Sequence, residues 1–291
     1  MPKSSNSFGR RAMLLAAMIV PLVCAEGDSD GQLLVAAPAP AIKAKSPIVA
    51  ASGVKKLNHE ELIELARTNP IELAQMGRQF HDDQIRDYSC VFVKQERIDN
   101  KLRPVEEIEV LFRTKPHSVF MKWLKNEDQV KRCLFIDTPD RVDSKGQKIA
   151  KVEPAGVLIR LIISEIEMPI HGDRARAASR RTIDEFGFRS TLDLLDRYNT
   201  IGAQKGVLDY HYAGKGVVDG RPTFIFERML PYTGPKSEYP DAKMIIHLDQ
   251  EWLLPTSVQS FADKEGKQLL GSYQYKSVRI NPGLTDQHFK F

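Results

Sequence analysis

The sequence predicts an α+β fold in which an antiparallel sheet, built from two strand meanders, packs against a small number of helices. Three features predict it. Between Asp87 and Asp137, apolar residues alternate with polar ones through four successive segments, with no helical pattern between them. From Gly206 to Ile280 the alternation returns. Helical spacing is confined to Leu57–Phe80 and to a stretch between the two meanders. Strands joined by a few residues form hairpins, and a half-wet alternation is typical of antiparallel pairing.

The first 25 residues read as an export signal. Lys3, Arg10 and Arg11 precede the apolar run Ala12–Val23, and Val23-Cys24-Ala25 offers small residues for cleavage. The run is shorter than the ~20 residues a membrane span needs. Arg10-Arg11 resembles a twin-arginine signal, but paired arginines also occur in ordinary secretory signals, and the Sec route is the expectation. Val23 disfavours lipidation at Cys24. Removing Met1–Ala25 takes three cations from a net charge of +4, leaving +1. A nearly neutral chain lacks the basic field of a nucleic-acid binder. Residues 26–55, with Ala37-Pro38-Ala39-Pro40 at their centre, read as a disordered Ala/Pro-rich linker, and 56–291 as one domain.

Order begins at Leu57. Asn58 and Glu61 form a capping box, and Leu57 and Leu62 can staple across it. Asn69-Pro70 starts a second helix, whose stripe is Leu73, Met76 and Phe80. The first strand alternates Tyr88, Cys90 and Phe92, with Lys94–Arg97 expected to carry it into solvent. Asp99-Asn100-Lys101 turns the chain. The second strand alternates Ile108, Val110 and Phe112, the third Val119, Met121 and Trp123, and the fourth Val130, Leu134 and Ile136. Cys90 and Cys133, on separate strands, are either a disulfide or two small buried hydrophobes.

Between the meanders, Ala155–Ile163 is apolar nearly all round and reads as a buried helix or strand. Thr182 and Glu185 form a capping box ahead of a helical face of Phe188, Leu192, Leu195 and Tyr198. The loop before it holds Arg174, Arg176, Arg180 and Arg181, either an anionic headgroup site or a solvated loop, the second being the default. In the second meander Tyr210 and Tyr212, Phe224 and Phe226, Met244, Ile246 and Leu248, and finally Tyr273 and Tyr275 mark the strands. Asp219-Gly220 is a hairpin turn.

Recognisable catalytic motifs are missing. His59-Glu60 opens like a zinc-protease helix, but Ile63 stands where the second ligand belongs. No nucleophile elbow, phosphate-binding glycine loop or calcium loop occurs. The reading therefore leans away from an enzyme and assigns no catalytic residue, no metal and no cofactor.

Four tracts carry a resemblance: Asp87–Glu96 (DYSCVFVKQE), Phe112–Leu124 (FRTKPHSVFMKWL), Ser179–Phe188 (SRRTIDEFGF) and Asn281–Phe289 (NPGLTDQHF). Together they resemble a family of exported bacterial proteins, domain of unknown function 1571, over most of the chain after Arg86. More distantly, the turn Arg113–Pro116, the Ile246–Asp249 strand before Leu254-Pro255, and the closing Phe289 resemble the LolA/LolB-like periplasmic lipoprotein carriers. That likeness implies a strongly curved antiparallel sheet, an incomplete β-barrel whose helices cover the concave face. If the helices leave a gap, acyl chains fill it at ~0.8 kcal/mol per buried methylene. If they do not, the aromatic stripes are plain core.

The expected lining of such a cavity is Phe92, Ile108, Val110, Phe112, Met121, Trp123, Leu134, Leu158, Phe224, Phe226, Ile246 and Tyr273. The expected function is that of an exported, non-enzymatic binder of an apolar or lipidic ligand, located in the periplasm or cell envelope. Its partners would be lipid or lipoprotein acyl chains, or an envelope protein, with no nucleic acid. The rival is a structural or protein-interaction module of the envelope with a filled core.

Overall fold

Asn58 accepts from the Glu61 backbone N–H at 2.9 Å while Glu61 reaches back to the Asn58 N–H at 2.8 Å, and this box starts the first ordered helix. The computed structural model describes residues 57–291 apart from 128 and 157–163, and all of these lie in one compact unit, Val49–Phe291. Helix α1 (His59–Thr68) ends at Asn69, which in turn caps α2 (Pro70–Gln84), with Pro70 at a first-turn position where its missing N–H costs nothing.

The strands are β1 (Asp87–Ile98), β2 (Lys101–Leu102), β3 (Glu106–Arg113), β4 (Ser118–Lys125), β5 (Val130–Ile136), β6 (Ile149–Pro154) and β7 (Ile166–Pro169). After them come helices α3 (Asp173–Ala178) and α4 (Phe188–Gln204), then β8 (Asp209–Val218), β9 (Arg221–Met229), β10 (Lys243–Asp249), β11 (Pro255–Phe261) and β12 (Leu269–Ile280). Among the described residues, twelve strands make one antiparallel sheet in the order β7-β6-β5-β4-β3-β1-β12-β11-β10-β9-β8, with β2 paired to β1. The fold is α+β, and the sheet is open.

It is also strongly curved. Met168 on β7 and Met244 on β10 line the same cavity, although eight strand steps separate them in the sheet order. A flat sheet would hold them about 38 Å apart. The sheet therefore wraps into an incomplete barrel with helices on its concave side.

Helices α1, α2 and α4 fill half of that concavity. Ala66, Leu73 and Leu195 pack on Phe224, Phe226, Ile246, Leu248 and Val258, all buried. In the middle of the sheet, Tyr88, Cys90, Val110, Phe112 and Val119 pack under Phe186, Phe188 and Leu192. Tyr88 stacks on Phe112 at 4.5 Å between ring centroids, an offset pairing that adds to simple burial. Gly77 lets α2 approach the chain closely, because a Cβ there would overlap the Leu253 carbonyl oxygen. Gly77→Ala is expected to push α2 off the sheet and cost about 1–3 kcal/mol, read as a lower denaturant midpoint with an unchanged slope.

Four expectations need correction. Strands β6 and β7 were not foreseen: they are the two outermost strands at one side of the sheet, β7 being the edge, and both are short and end in proline. Part of the arginine-rich loop is helix α3. Leu134 does not face the concavity. It packs with Phe120 and Phe289 on the convex side, where the C-terminal segment covers the sheet, so β5 is apolar on both faces. Lys94 and Glu96 do not run into solvent, since β1 keeps its alternation through both and Glu96 is 4% exposed.

Cys90 and Cys133 are free. They lie on one row of the sheet, Cys90–Val110–Met121–Cys133, three strand steps or about 14 Å apart, beyond the ~7 Å Cα limit of a disulfide. The expected apolar element Ala155–Ile163, Leu158 included, falls largely on 157–163, outside the described residues.

Candidate functional site

Where the helices stop, a cavity of about 780 Å³ remains between the sheet and the segment from α3 to α4. That is within the ~300–1,000 Å³ of small-molecule sites. Phe92 and Ile108 form part of its wall with Met121, Trp123, Val152 and Ile166. These positions follow from strand period: inward residues recur every second position on β1, β3, β4 and β6.

Of the residues expected from sequence, the structure brings Phe92, Ile108, Met121, Trp123 and Tyr273 together on this wall. Val110 and Phe112 lie in the packed centre beneath α4, and Phe224, Phe226 and Ile246 lie under α1 and α2. Leu134 is on the opposite face, and Leu158 lies outside the described residues. The division has a plain cause. All of these side chains point inward or sit on apolar strands, but only sequence-distant helices decide which of them are covered.

A polar clasp sits at one side of the cavity. Lys94 Nζ lies 3.2 Å from Glu106 Oε2 and 3.5 Å from Glu96 Oε2. Trp123 Nε1–H donates to Glu106 at 3.1 Å, and Tyr273 Oη–H to Glu96 at 2.7 Å. Glu96 also accepts from Ser179 Oγ–H at 2.9 Å and from the Arg180 backbone N–H at 3.3 Å. Burial alone would raise the Glu96 pKa, but the Lys94 charge and these hydrogen bonds outweigh it and hold the carboxyl below its ordinary value. Burial and the neighbouring Glu96 push the Tyr273 phenol well above its own.

Chemically, the clasp is a fastening. Each carboxylate is held by fixed donors, and the Ser179 hydroxyl donates to Glu96, whose lowered pKa makes it a poor base for activating a nucleophile. Glu96 thereby ties the segment after α3 to strand β1 across the cavity. Because its folded pKa is depressed, Glu96 stabilises the fold above its unfolded pKa of about 4.3, and that contribution is lost as pH falls through the folded value. Glu96→Gln is therefore expected to lower stability by about 1–3 kcal/mol at pH 7 and to flatten the acid limb of a denaturation-versus-pH curve.

On the β9–β10 side of the same cavity, Arg228 on β9 is fully buried and forms part of the wall with Asp241, Tyr198 and Met244. Its Nη2 donates to both Asp241 oxygens, at 3.1 and 3.2 Å. Burial raises the Asp241 pKa even with Arg228 in contact. Burial also pushes the Cys133 thiol, on the wall of the same cavity, up to about 12, so it stays protonated and unreactive. Among the described residues no cluster of His, Cys, Asp or Glu could hold a metal ion.

Sequence reading missed Lys94, Glu96, Ser179, Arg228 and Asp241 as wall residues, and it placed Arg180 in a loop read by default as solvated although an anionic headgroup site was the alternative. Three of the missed residues carried a signal. Phe224, Phe226 and Arg228 share one strand face, which puts an arginine where the pattern asks for a hydrophobe. Lys94 and Glu96 continue the Tyr88–Phe92 face.

Residues 85–291 match the family described as Protein of unknown function (DUF1571). The chain belongs to that family. Its four tracts include the clasp residues Lys94, Glu96, Ser179 and Arg180. No curated protein matches the chain significantly.

Solved structures with similarity include the Pseudomonas aeruginosa MucA/MucB complex (14% identity, 76% of this chain and 61% of that one, TM-score 0.41). The Mycobacterium tuberculosis lipoprotein LppX is similar at 12% identity, 75% and 99% coverage and a TM-score of 0.41. A LolA superfamily protein from Nitrosomonas europaea gives 11%, 75% and 97%, and 0.28. This chain spans 61% of the MucB match. All three TM-scores are below 0.5, so the fold description rests on the strand order itself. Among the described residues no helix is long and apolar enough to cross a membrane.

Proposed function

We propose that this DUF1571 protein is an exported, non-enzymatic carrier that holds an apolar chain of a lipid or lipoprotein inside its half-barrel. In this reading residues 1–25 direct export, 26–55 form a tether, and 56–291 are the binding domain. The observation that carries it is the 780 Å³ cavity, walled by Phe92, Ile108, Met121, Trp123, Val152 and Ile166, that the helices do not fill. An apolar wall of this size stays dry only when something apolar covers it. Ten buried methylenes would supply about 8 kcal/mol before ordering costs. Among the described residues, no side-chain packing fills this end of the sheet, which favours the carrier over an envelope interaction module with a filled core.

Titration with a fluorescent fatty acid tests the reading. Wild-type protein is expected to bind near one equivalent in the micromolar range or tighter. Val130→Trp, which thrusts a ring into the cavity from β5, is expected to weaken binding at least tenfold while leaving the fold intact. Equal binding by both proteins would refute the cavity as the site.

A further inference from the structure

The end of the cavity at β9 and β10 is built differently from its apolar wall. Arg228 is fully buried, cannot lose its charge, and has five N–H donors. Its only hydrogen-bond partner among the described residues is Asp241, and both bonds leave from Nη2. Nε and Nη1 are buried without an acceptor. Buried guanidinium donors are costly to leave unmade, and arginine–carboxylate pairs commonly use two nitrogens. Here one nitrogen is engaged and two are spare; the residue borders the cavity, and because its guanidinium exposes no surface there, a head group reaches the spare donors by displacing a covering side chain.

The surroundings favour an anion. Asp241 is the carboxylate paired with Arg228, while Arg180 and Arg181 also act on it electrostatically and are part of the same wall. Arg180 is fixed there by donating to the Pro240 carbonyl at 3.3 Å. Arg181 lies 3.9 Å from Glu185, itself on the wall. Leu195, Met244 and Val258 around this end are apolar, and the Arg228 guanidinium sits 5.9 Å from the centre of the Tyr198 ring. A pure hydrocarbon would cover those groups and leave the spare N–H donors unsatisfied.

We propose, resting on the carrier reading, that Arg228 anchors the acidic head of the guest. The cavity then takes a single-chain amphiphile whose carboxylate or phosphate oxygens accept from Arg228 Nε–H and Nη1–H, with its chain running toward Phe92, Met121 and Trp123. Asp241 orients the guanidinium and limits the head to one small anion.

The test is competition against a fluorescent fatty acid on the full chain, using oleate, oleyl phosphate, methyl oleate and oleyl alcohol. Oleate or oleyl phosphate is expected to bind about tenfold or more tightly than the ester and the alcohol, the worth of a charge-assisted hydrogen bond. Whichever of the two anions binds more tightly identifies the head as carboxylate or phosphate. The double variant R228M/D241L, which replaces the pair by apolar residues of similar volume, is expected to abolish that preference while keeping alcohol affinity within about threefold. Arg228→Lys should retain part of it. Equal affinities of acid, ester and alcohol in wild type overturn the anchor and leave the carrier reading standing. A preference that survives in the double variant also overturns it. Failure of all four to bind defeats both.

Discussion

Replacing Asp241 by alanine is expected to lower the stability of the protein by about 3–5 kcal/mol, the largest effect of any single polar substitution. Arg228 is fully buried, and Asp241 is its only hydrogen-bond partner among the described residues. Guanidinium cannot neutralise itself by losing a proton, so the variant keeps a charge in a low-dielectric wall with nothing to balance it. The reverse change is milder. Arg228→Met leaves a carboxyl whose pKa is already raised by burial, and it can take up a proton. Equilibrium denaturation should rank D241A well below R228M, with R228M/D241L recovering most of the loss. A D241A protein as stable as wild type would mean that the pair is not buried as described.

A comparable loss is expected from Phe226→Ala, and its contrast with Met121→Ala separates core from cavity wall. Phe226 is fully buried between β9 and the α1/α2 layer, where Leu73, Leu195 and Ile246 close around it. Removing the ring leaves a hole that rigid neighbours cannot fill, at about 3–5 kcal/mol. Met121 is partly exposed and forms part of the wall of a cavity that already exists, so truncating it enlarges a space without creating one. Its expected cost is near 1 kcal/mol, with a several-fold loss of fatty-acid affinity. Phe226→Ala should do the opposite, changing the denaturant midpoint strongly and affinity little so long as the fold holds. If Met121→Ala were the more destabilising of the two, the partition of the concave face drawn from the structure would be wrong.

That partition shows how far the sequence could be read. The central meander was legible because Ile108, Val110 and Phe112 alternate with Glu107, Glu109 and Arg113, broken only at Leu111, and because Asp99-Asn100 and Asp219-Gly220 are turn residue pairs, which the structure places at positive φ. Helix starts at Asn58 and Asn69 were legible from capping chemistry. Strands β6 and β7 were not, because four to six residues ending in proline give too little periodicity. Leu134 was assigned to the wrong face because Cys133-Leu134-Phe135-Ile136 is apolar on both sides. Only the fold reveals that the C-terminal Phe289 covers one of them. The clasp was overlooked because Lys94 and Glu96 look like solvent residues until Ser179, Arg180 and Tyr273 arrive from distant parts of the chain. Which aromatic residues line the cavity depends on where α1, α2 and α4 end over the sheet, and spacing along one strand does not record that.

The central claim is that the uncovered half of the concave sheet holds a hydrocarbon guest. Purifying the full chain from its native cells without detergent, extracting it with organic solvent and identifying the extract by mass spectrometry tests this directly. Close to one lipid per protein is expected, single-chained if Arg228 anchors its head, displaced by added fatty acid and reduced in Val130→Trp. A natively purified protein that yields no lipid and takes up no fatty acid would contradict it.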